Sequence, residues 1–383
     1  MKNTFLVLLL LVSAFGYSQQ TIYDTIVHDG LQRSFILYVP QAYSPDAPAP
    51  LVINFHGYTS NAFAQMNYGD FRAIADTAGF LLAHPQGTLD NSGNTYWNAN
   101  WGGTVDDIGF TEDLIDSLAA NYNVNFDRVY STGMSNGGFM SYTLACELSH
   151  RIAAIASVTG TMNTNQSNDC NPQHPMPIME IHGTADNVVP YNGNAFMESI
   201  PNTLGYWVAF NDCSPDPEIN FIPDINPNDG CTAEHYRYPS GTNGVEVEHY
   251  KIINGGHTWP GSPFPSGGGN TNQDFDASEK IWEFFAKYDI NGSLVINNVA
   301  DTRSEDFIFY NDYSNRQLFI HWSNQQIKTL RMYSTTGHQV KNLEVQMADS
   351  ISVSLMDLPR GIYLVQLIDA NNRIVNTRKL ILD

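Results

Sequence analysis

Positive charge is scarce in this chain. Only 18 Lys and Arg face 39 Asp and Glu, a formal net charge of −21. Nucleic acid and anionic membrane surfaces would repel such a protein, so neither is expected as a partner. The balance suits an exported enzyme acting on neutral or insoluble material, and equally a protein that uses acidity to stay soluble. Long apolar runs are lacking too. Phe5 to Val12, preceded by Lys2 and followed by Gly16 and Ser18, is too short to span a bilayer and reads as a secretory leader, residues 1–18, cut before Gln19. No later run is longer, so no transmembrane segment is expected. Cysteine is sparse, at Cys146, Cys170, Cys213 and Cys231, and none forms a C-x-x-C pair. Zinc is thereby disfavoured, and no metal or cofactor is expected. The even count suits an oxidising compartment, and the shorter loops favour Cys146–Cys170 and Cys213–Cys231. Internal repeats and low-complexity tracts are also missing.

What is present is a strand–turn–helix signal. Arg128-Val129-Tyr130-Ser131-Thr132 reads as a core strand and runs into Gly133-Met134-Ser135-Asn136-Gly137. Met140, Leu144, Ala145 and Leu148 then recur at helical spacing. This is the context a G-x-S-x-G nucleophile elbow needs, with a serine on a strained turn and glycines that avoid a Cβ clash. Around it strands and helices alternate. Strands are expected at Leu31–Pro40, Leu51–Phe55, Phe80–Ala83, Ile152–Val158, Pro177–His182 and Val245–Ile253. Helices are expected at Phe71–Ala78, stopped by Gly79, and along Phe110, Leu114, Leu118 and Tyr122. A last helix opens on the capping pair Asp276 and Glu279. Such alternation predicts an α/β fold with a doubly wound, mostly parallel sheet over residues 19–288. A polar linker, 289–306, follows. Residues 307–383 change to short strands between turns, the pattern of a small all-β sandwich.

A serine hydroxyl needs a base, and the base needs a carboxylate to orient it. In the order Ser, acid, His, each on a loop after a strand, the candidates are Ser135, Asp186 and His257. Asp186 ends His182-Gly183-Thr184-Ala185-Asp186. His257 follows two glycines and precedes Pro260-Gly261. Oxyanion donors are expected from the backbone N–H of Asn136 and of Tyr58, in Phe55-His56-Gly57-Tyr58. His56, His84 and His182 sit at strand ends, where local hydrogen bonds explain them. A helix cap explains Asp276, and Asp274 falls outside the triad order. Trp101 and Trp259, with Trp97, could line a substrate cleft, although tryptophans are as often buried. Asp224 to Gly230 hints at a calcium loop, but its glycine is one place late and no glutamate follows at the required spacing, so it reads as a plain turn.

Through the stretches VINFHGYTSNA, DRVYSTGMSNGGFMSYTLAC, IMEIHGTADNVVPY and INGGHTWPG, residues 25–288 resemble the polyhydroxybutyrate depolymerase-like esterases, the α/β-hydrolase group that includes feruloyl and acetylxylan esterases. The resemblance implies Ser135 as nucleophile, Asp186 as acid, His257 as base, and the Tyr58 and Asn136 amides as oxyanion donors. One departure stands at Tyr58, where many relatives carry cysteine. The tail, with Leu358-Pro359-Arg360-Gly361-Ile362-Tyr363-Leu364 and Lys379-Leu380-Ile381, resembles the C-terminal sorting domain of the type IX secretion system. Its partner would be that machinery, after passage through the Sec pathway, and its destination the cell surface or medium. The expected function is a secreted serine carboxylic-ester hydrolase that removes feruloyl or acetyl groups from plant cell-wall polysaccharide. Polyhydroxybutyrate depolymerisation is one alternative. A carbohydrate-binding surface protein on a degenerate hydrolase scaffold is another, of a different class.

Overall fold

The computed structural model describes residues 19–164, 166–264 and 268–294, and in the tail 307–312, 316–322, 327–334, 338–345, 350–359, 361–370 and 373–382. The expected leader and residues 295–306 of the expected linker lie outside the described residues. The chain divides into two compact units, residues 1–295 and 296–383.

The first unit is built on one ten-stranded sheet. Its strands are β1 (Gln20–His28), β2 (Leu31–Val39), β3 (Ala49–Phe55), β4 (Leu81–Pro85), β5 (Val124–Met134), β6 (Ala154–Val158), β7 (Ile178–Gly183), β8 (Glu218–Phe221), β9 (Thr232–Tyr238) and β10 (Val247–Ile253). They lie in the order β1-β2-β4-β3-β5-β6-β7-β10-β9-β8. The central run from β4 to β10 is parallel, and an antiparallel pair extends each edge. The helices are α1 (Ala62–Tyr68), α2 (Arg72–Ala78), α3 (Asp107–Asn121), α4 (Asn136–Glu147), the one-turn α5 (Gln166–Asp169), α6 (Ile200–Phe210) and α7 (Ala277–Phe285). This is the α/β-hydrolase fold.

Alternation along the buried strands supplies both faces. Leu51, Ile53, Phe55 and Val129 join the cluster under α3, α4 and α6, whereas Val52 and Tyr130 join the cluster under α2 and α7. Helix ends follow local chemistry. Gly79 closes α2 in the left-handed region at φ 78°, and Asp276 caps α7 by accepting from the Ser278 and Glu279 amides. Asp274 accepts the Ile225 and Asn226 amides, and Asp229 accepts those of Cys231 and Gln273. The 224–230 segment is thus bound down as a turn.

The sulfur pairing departs from expectation in one half. Cys146 and Cys170 are bonded, joining the end of α4 to the segment after α5. Cys213 and Cys231 are separate buried thiols. They belong to different hydrophobic clusters, so the short loop between them in sequence does not bring them together. Burial pushes the Cys213 thiol up to about 11 and the Cys231 thiol up to about 12.

The second unit is antiparallel throughout its described strands: β11 (Phe307–Asp312), β12 (Gln317–Trp322), β13 (Ile327–Ser334), β14 (Gln339–Glu344), β15 (Ser350–Ser354), β16 (Gly361–Asp369) and β17 (Ile374–Leu382). They form one sheet ordered β11-β12-β15 and another ordered β14-β13-β16-β17. Leu318, Ile320, Trp322, Leu330, Met332 and Leu367 share one core. Among the described residues no helix is long and apolar enough to cross a membrane.

Candidate active site

Strand β5 ends at Met134, and α4 begins at Asn136, leaving Ser135 alone at the turn with φ 56° and ψ −119°. That is unfavourable backbone for a residue with a Cβ, and it is retained because the neighbours over-determine it. The Ser135 amide is bound to the Val158 carbonyl at 2.8 Å. The flanking glycines are needed for space. A Cβ on Gly133 would stand 2.6 Å from the Phe55 carbonyl oxygen, and one on Gly137 would collide with the same atom.

The loop after β3 lies against the serine. An added Cβ on Gly57 would stand 3.4 Å from the Ser135 Cβ and 4.0 Å from its Oγ. Tyr58, next in the chain, is anchored through its hydroxyl, which donates to Asp90 at 2.6 Å and accepts from Asn94 at 2.9 Å. Asn136 is held by its side chain, which accepts from the Trp97 amide at 2.7 Å and donates to the Trp97 carbonyl at 3.1 Å. Its backbone N–H belongs to the first turn of α4, where helix amides point at incoming negative charge.

Asp186 and His257 meet across adjacent parallel strands. Gly183 at the end of β7 has no room for a Cβ beneath Gly255, and the Ala185 amide donates to the Gly255 carbonyl at 2.9 Å. The two loops are thereby fastened together. His257 Nδ1 sits 2.8 Å from Asp186 Oδ2. Asp186 Oδ1 accepts from the Val188 and Val189 amides at 2.8 and 2.9 Å. Burial alone would push the Asp186 carboxyl up, but the hydrogen bond from His257, the neighbouring imidazoles and the Val189 amide outweigh it and hold it below the usual carboxylate value.

Two cavities open on Ser135. The larger, about 850 Å³, is lined by Ser135, His257, Asn61, Asn67, Tyr68 and Phe264 among others. The smaller, about 460 Å³, is lined by Ser135, Asn136, Tyr96, Trp101, Phe139 and Met197, with Val188 and Val189 at its wall. Tyr58 borders both. Trp101 is 40 % exposed and its ring lies 5.2 Å from that of Phe139.

Trp259 does not serve the cleft. It is only 1 % exposed, packs edge-on against Tyr68 and Phe71, and donates its indole N–H to Ser278. Trp97 is likewise buried, donating to the His56 carbonyl. His56 accepts the Gly87 amide at Nε2, so its proton is on Nδ1 and goes to the Gly57 carbonyl; burial lowers its pKa to about 4 despite that bond. Burial holds His84 down at about 3. The residues that sequence reasoning missed are Tyr96, Phe139, Val188, Met197, Phe63 and Phe264. They lie on separate loops and helices with no shared motif, and only the fold gathers them.

Residues 102–212 match the phospholipase/carboxylesterase family, and residues 309–383 match the secretion system C-terminal sorting domain. A bifunctional acetylxylan esterase/xylanase of Neocallimastix patriciarum is 27% identical over 280 residues, covering 72% of this chain and 36% of that protein. Feruloyl esterase B of Piromyces equi is 31% identical over 238 residues, covering 59% and 42%. The chain thus spans less than half the length of these two relatives. Among solved structures, an acetyl xylan esterase from Aspergillus awamori superposes with a TM-score of 0.50 at 16% identity, covering 70% of this chain and 99% of that one, a likeness of fold. The chain is an α/β-hydrolase homologue of carboxylic-ester esterases, and it carries a secretion sorting domain at its C-terminal side.

Proposed function

We propose that the first unit is a serine carboxylic-ester hydrolase acting through Ser135, His257 and Asp186. Ser135 Oγ attacks the ester carbonyl carbon while His257 Nε2 takes the hydroxyl proton. Asp186 keeps the other ring proton on Nδ1 and balances the imidazolium. The tetrahedral oxyanion accepts from the Tyr58 and Asn136 amides, each such donor typically contributing about 2.7–4 kcal/mol. His257 then protonates the leaving alcohol oxygen. Water, deprotonated by the same nitrogen, releases the acid from the acyl-enzyme.

This chemistry assigns the two cavities. The group that leaves must depart on the side of the imidazole that protonates it, so the alcohol belongs in the larger cavity with His257. Within a mostly apolar lining, Asn61 and Asn67 offer amides that suit sugar hydroxyls. The acyl chain belongs in the smaller cavity beside the Asn136 amide. Tyr96, Trp101 and Phe139 offer flat apolar walls there, which suit an aromatic acyl group better than acetate. The observation that carries the reading is this aromatic chamber on the oxyanion side of Ser135. We therefore favour a hydroxycinnamoyl ester of cell-wall polysaccharide, with acetylated xylan and polyhydroxybutyrate as the competitors. A hydrolysis panel of methyl ferulate, acetylated xylan and polyhydroxybutyrate emulsion tests it: fastest turnover of ferulate is expected, and clearing of the polyester without ferulate or acetate release overturns it.

The second unit is proposed to direct export through the type IX machinery after Sec-dependent passage. Phe307 to Asp383 fused to an inert exported reporter should carry it out of a type IX-competent host. Retention in the periplasm would refute the assignment.

A further inference from the structure

A second carboxylate–imidazole pair stands behind the first, and no step of ester hydrolysis requires it to react. Glu180 and His182 lie on β7, both completely buried. His182 Nδ1 is 2.9 Å from Glu180 Oε1, and the Tyr142 hydroxyl on α4 donates to Glu180 Oε2 at 2.8 Å. His182 Nε2 faces the Val189 carbonyl at 2.8 Å and Asp186 Oδ2 at 3.5 Å. A carbonyl oxygen only accepts, so Nε2 carries a proton. Nδ1 is left facing Glu180 Oε1. Val189, whose carbonyl faces His182 Nε2, donates its own N–H to Asp186 Oδ1. The polar chain therefore runs Tyr142, Glu180, His182, Asp186, His257.

We propose that Glu180 and His182 are positioning residues for the acid of the hydrolytic triad, a buried counter-charged pair that fixes the Val189 loop around Asp186 and offsets part of its negative charge. The inference rests on the serine-hydrolase reading. Its first component is mechanical: His182 pins Val189, and Val189 with Val188 pins Asp186 while walling the smaller cavity. Its second component is electrostatic. Burial by itself would strip a proton from His182, but the hydrogen bond and charge of Glu180 and the charge of Asp186 reverse this and raise its pKa. The other groups around His182 supply no rival charge at close range. His249 on β10 is held neutral by burial, down at about 3, and bonds the Glu180 carbonyl and the Tyr191 hydroxyl. Tyr191 is set edge-on to the His182 ring, with its own pKa raised. Lys251, in register beside His182, pairs with Glu234 instead.

A cation behind Asp186 opposes protonation of His257 in front of it. Removing that cation lets the uncompensated carboxylate favour the His257 imidazolium, so less free base remains at a given pH. The acid limb of the kcat/KM profile should then move to higher pH. The variants are Glu180→Gln, which keeps the shape but exchanges one acceptor oxygen for an NH2 donor, His182→Gln, and the pair together, which leaves no unpaired buried charge if His182→Gln alone does not fold. For each variant that melts cooperatively, kcat on methyl ferulate should fall about tenfold, one decade of transition-state stabilisation. KM should stay within about twofold of wild type. The acid limb should rise by on the order of half a pH unit. Lower melting temperature with unchanged kcat and acid limb would reduce the pair to a structural role and overturn the proposal. In wild-type protein, NMR of ring-15N histidine should find His182 protonated at both nitrogens near neutral pH, and a singly protonated ring overturns it without any variant. Wild-type protein that takes no fluorophosphonate at Ser135 and cleaves no ester would instead sink the hydrolase reading.

Discussion

The two units solve the problem of burying a sheet in opposite ways, and the contrast explains where chemistry sits. In the first, a parallel core is covered on both faces, and its strand ends carry loops rigid enough to hold polar groups at 4 % and 6 % exposure, as at Asp186 and His257. In the second, antiparallel strands share one small apolar core, and among the described residues the buried charged side chain is Asp369 at the end of β16, paired with Arg373 just before β17. A parallel sheet offers adjacent carboxyl ends where loops converge. An antiparallel one scatters its turns to both ends, a construction suited to recognition by its surface.

The largest expected effect comes from removing the proposed base. His257→Ala should lower kcat by about 10⁶ on soluble esters, whereas Asp186→Asn should cost about 10⁴, since the proposed acid orients the base without reacting. Steady-state kinetics with active-site titration checks both. Trp101→Ala should lower kcat/KM for methyl ferulate roughly tenfold and leave short acetyl esters nearly untouched, since one lost aromatic wall is worth about 0.5–1.5 kcal/mol beyond its area. Equal losses on both substrates would remove the acyl chamber from the argument. Cys146→Ser with Cys170→Ser should cost about 2–4 kcal/mol in denaturant unfolding, while Cys213→Ala should leave the count of disulfides at one. At the small end, a chain ending at Leu294 should hydrolyse soluble esters within about twofold of full length, since a unit with its own core folds alone. That end point retains the hairpin in which Ile290 donates to the Asp127 carbonyl, and it forfeits export.

Acid should destabilise the first unit in a defined window. His56, His84 and His249 are buried with pKa values lowered to about 4, 3 and 3. The unfolded chain binds their protons near the ordinary value of 6.5, so stability is full above it and declines as pH falls toward 3. His182 has the opposite sign: its contribution is complete below 6.5 and is lost only as pH rises through its raised value.

Much of the candidate site's placement could be read from residues alone because a strand–serine–helix turn forces its own local signature. A serine between Gly133 and Gly137 needs a strand before it and a helix after it, and the apolar spacing announced both. Asp186 and His257 followed from chain order, each just past a strand. The helix cap at Asp276 was equally local. Where the answer depended on which face of the sheet a residue reaches, the sequence reading went wrong. Trp259 sits two places from His257 yet turns under Gly69 and Phe71, and Cys213 and Cys231 lie near in sequence but in separate cores. Strand β1 escaped notice because its edge position leaves most of its side chains exposed. Helix α6 is apolar around much of its circumference, with Tyr206 and Phe210 packed on the core beside Leu204 and Trp207, which blurs the period.

The central claim is that Ser135 is the nucleophile that Asp186 and His257 serve. Incubation with a fluorophosphonate probe followed by peptide mass spectrometry tests it directly. One adduct is expected, on Ser135, with ester hydrolysis lost in proportion to labelling. Full labelling of another serine with loss of activity, or wild-type turnover by Ser135→Ala, would contradict it.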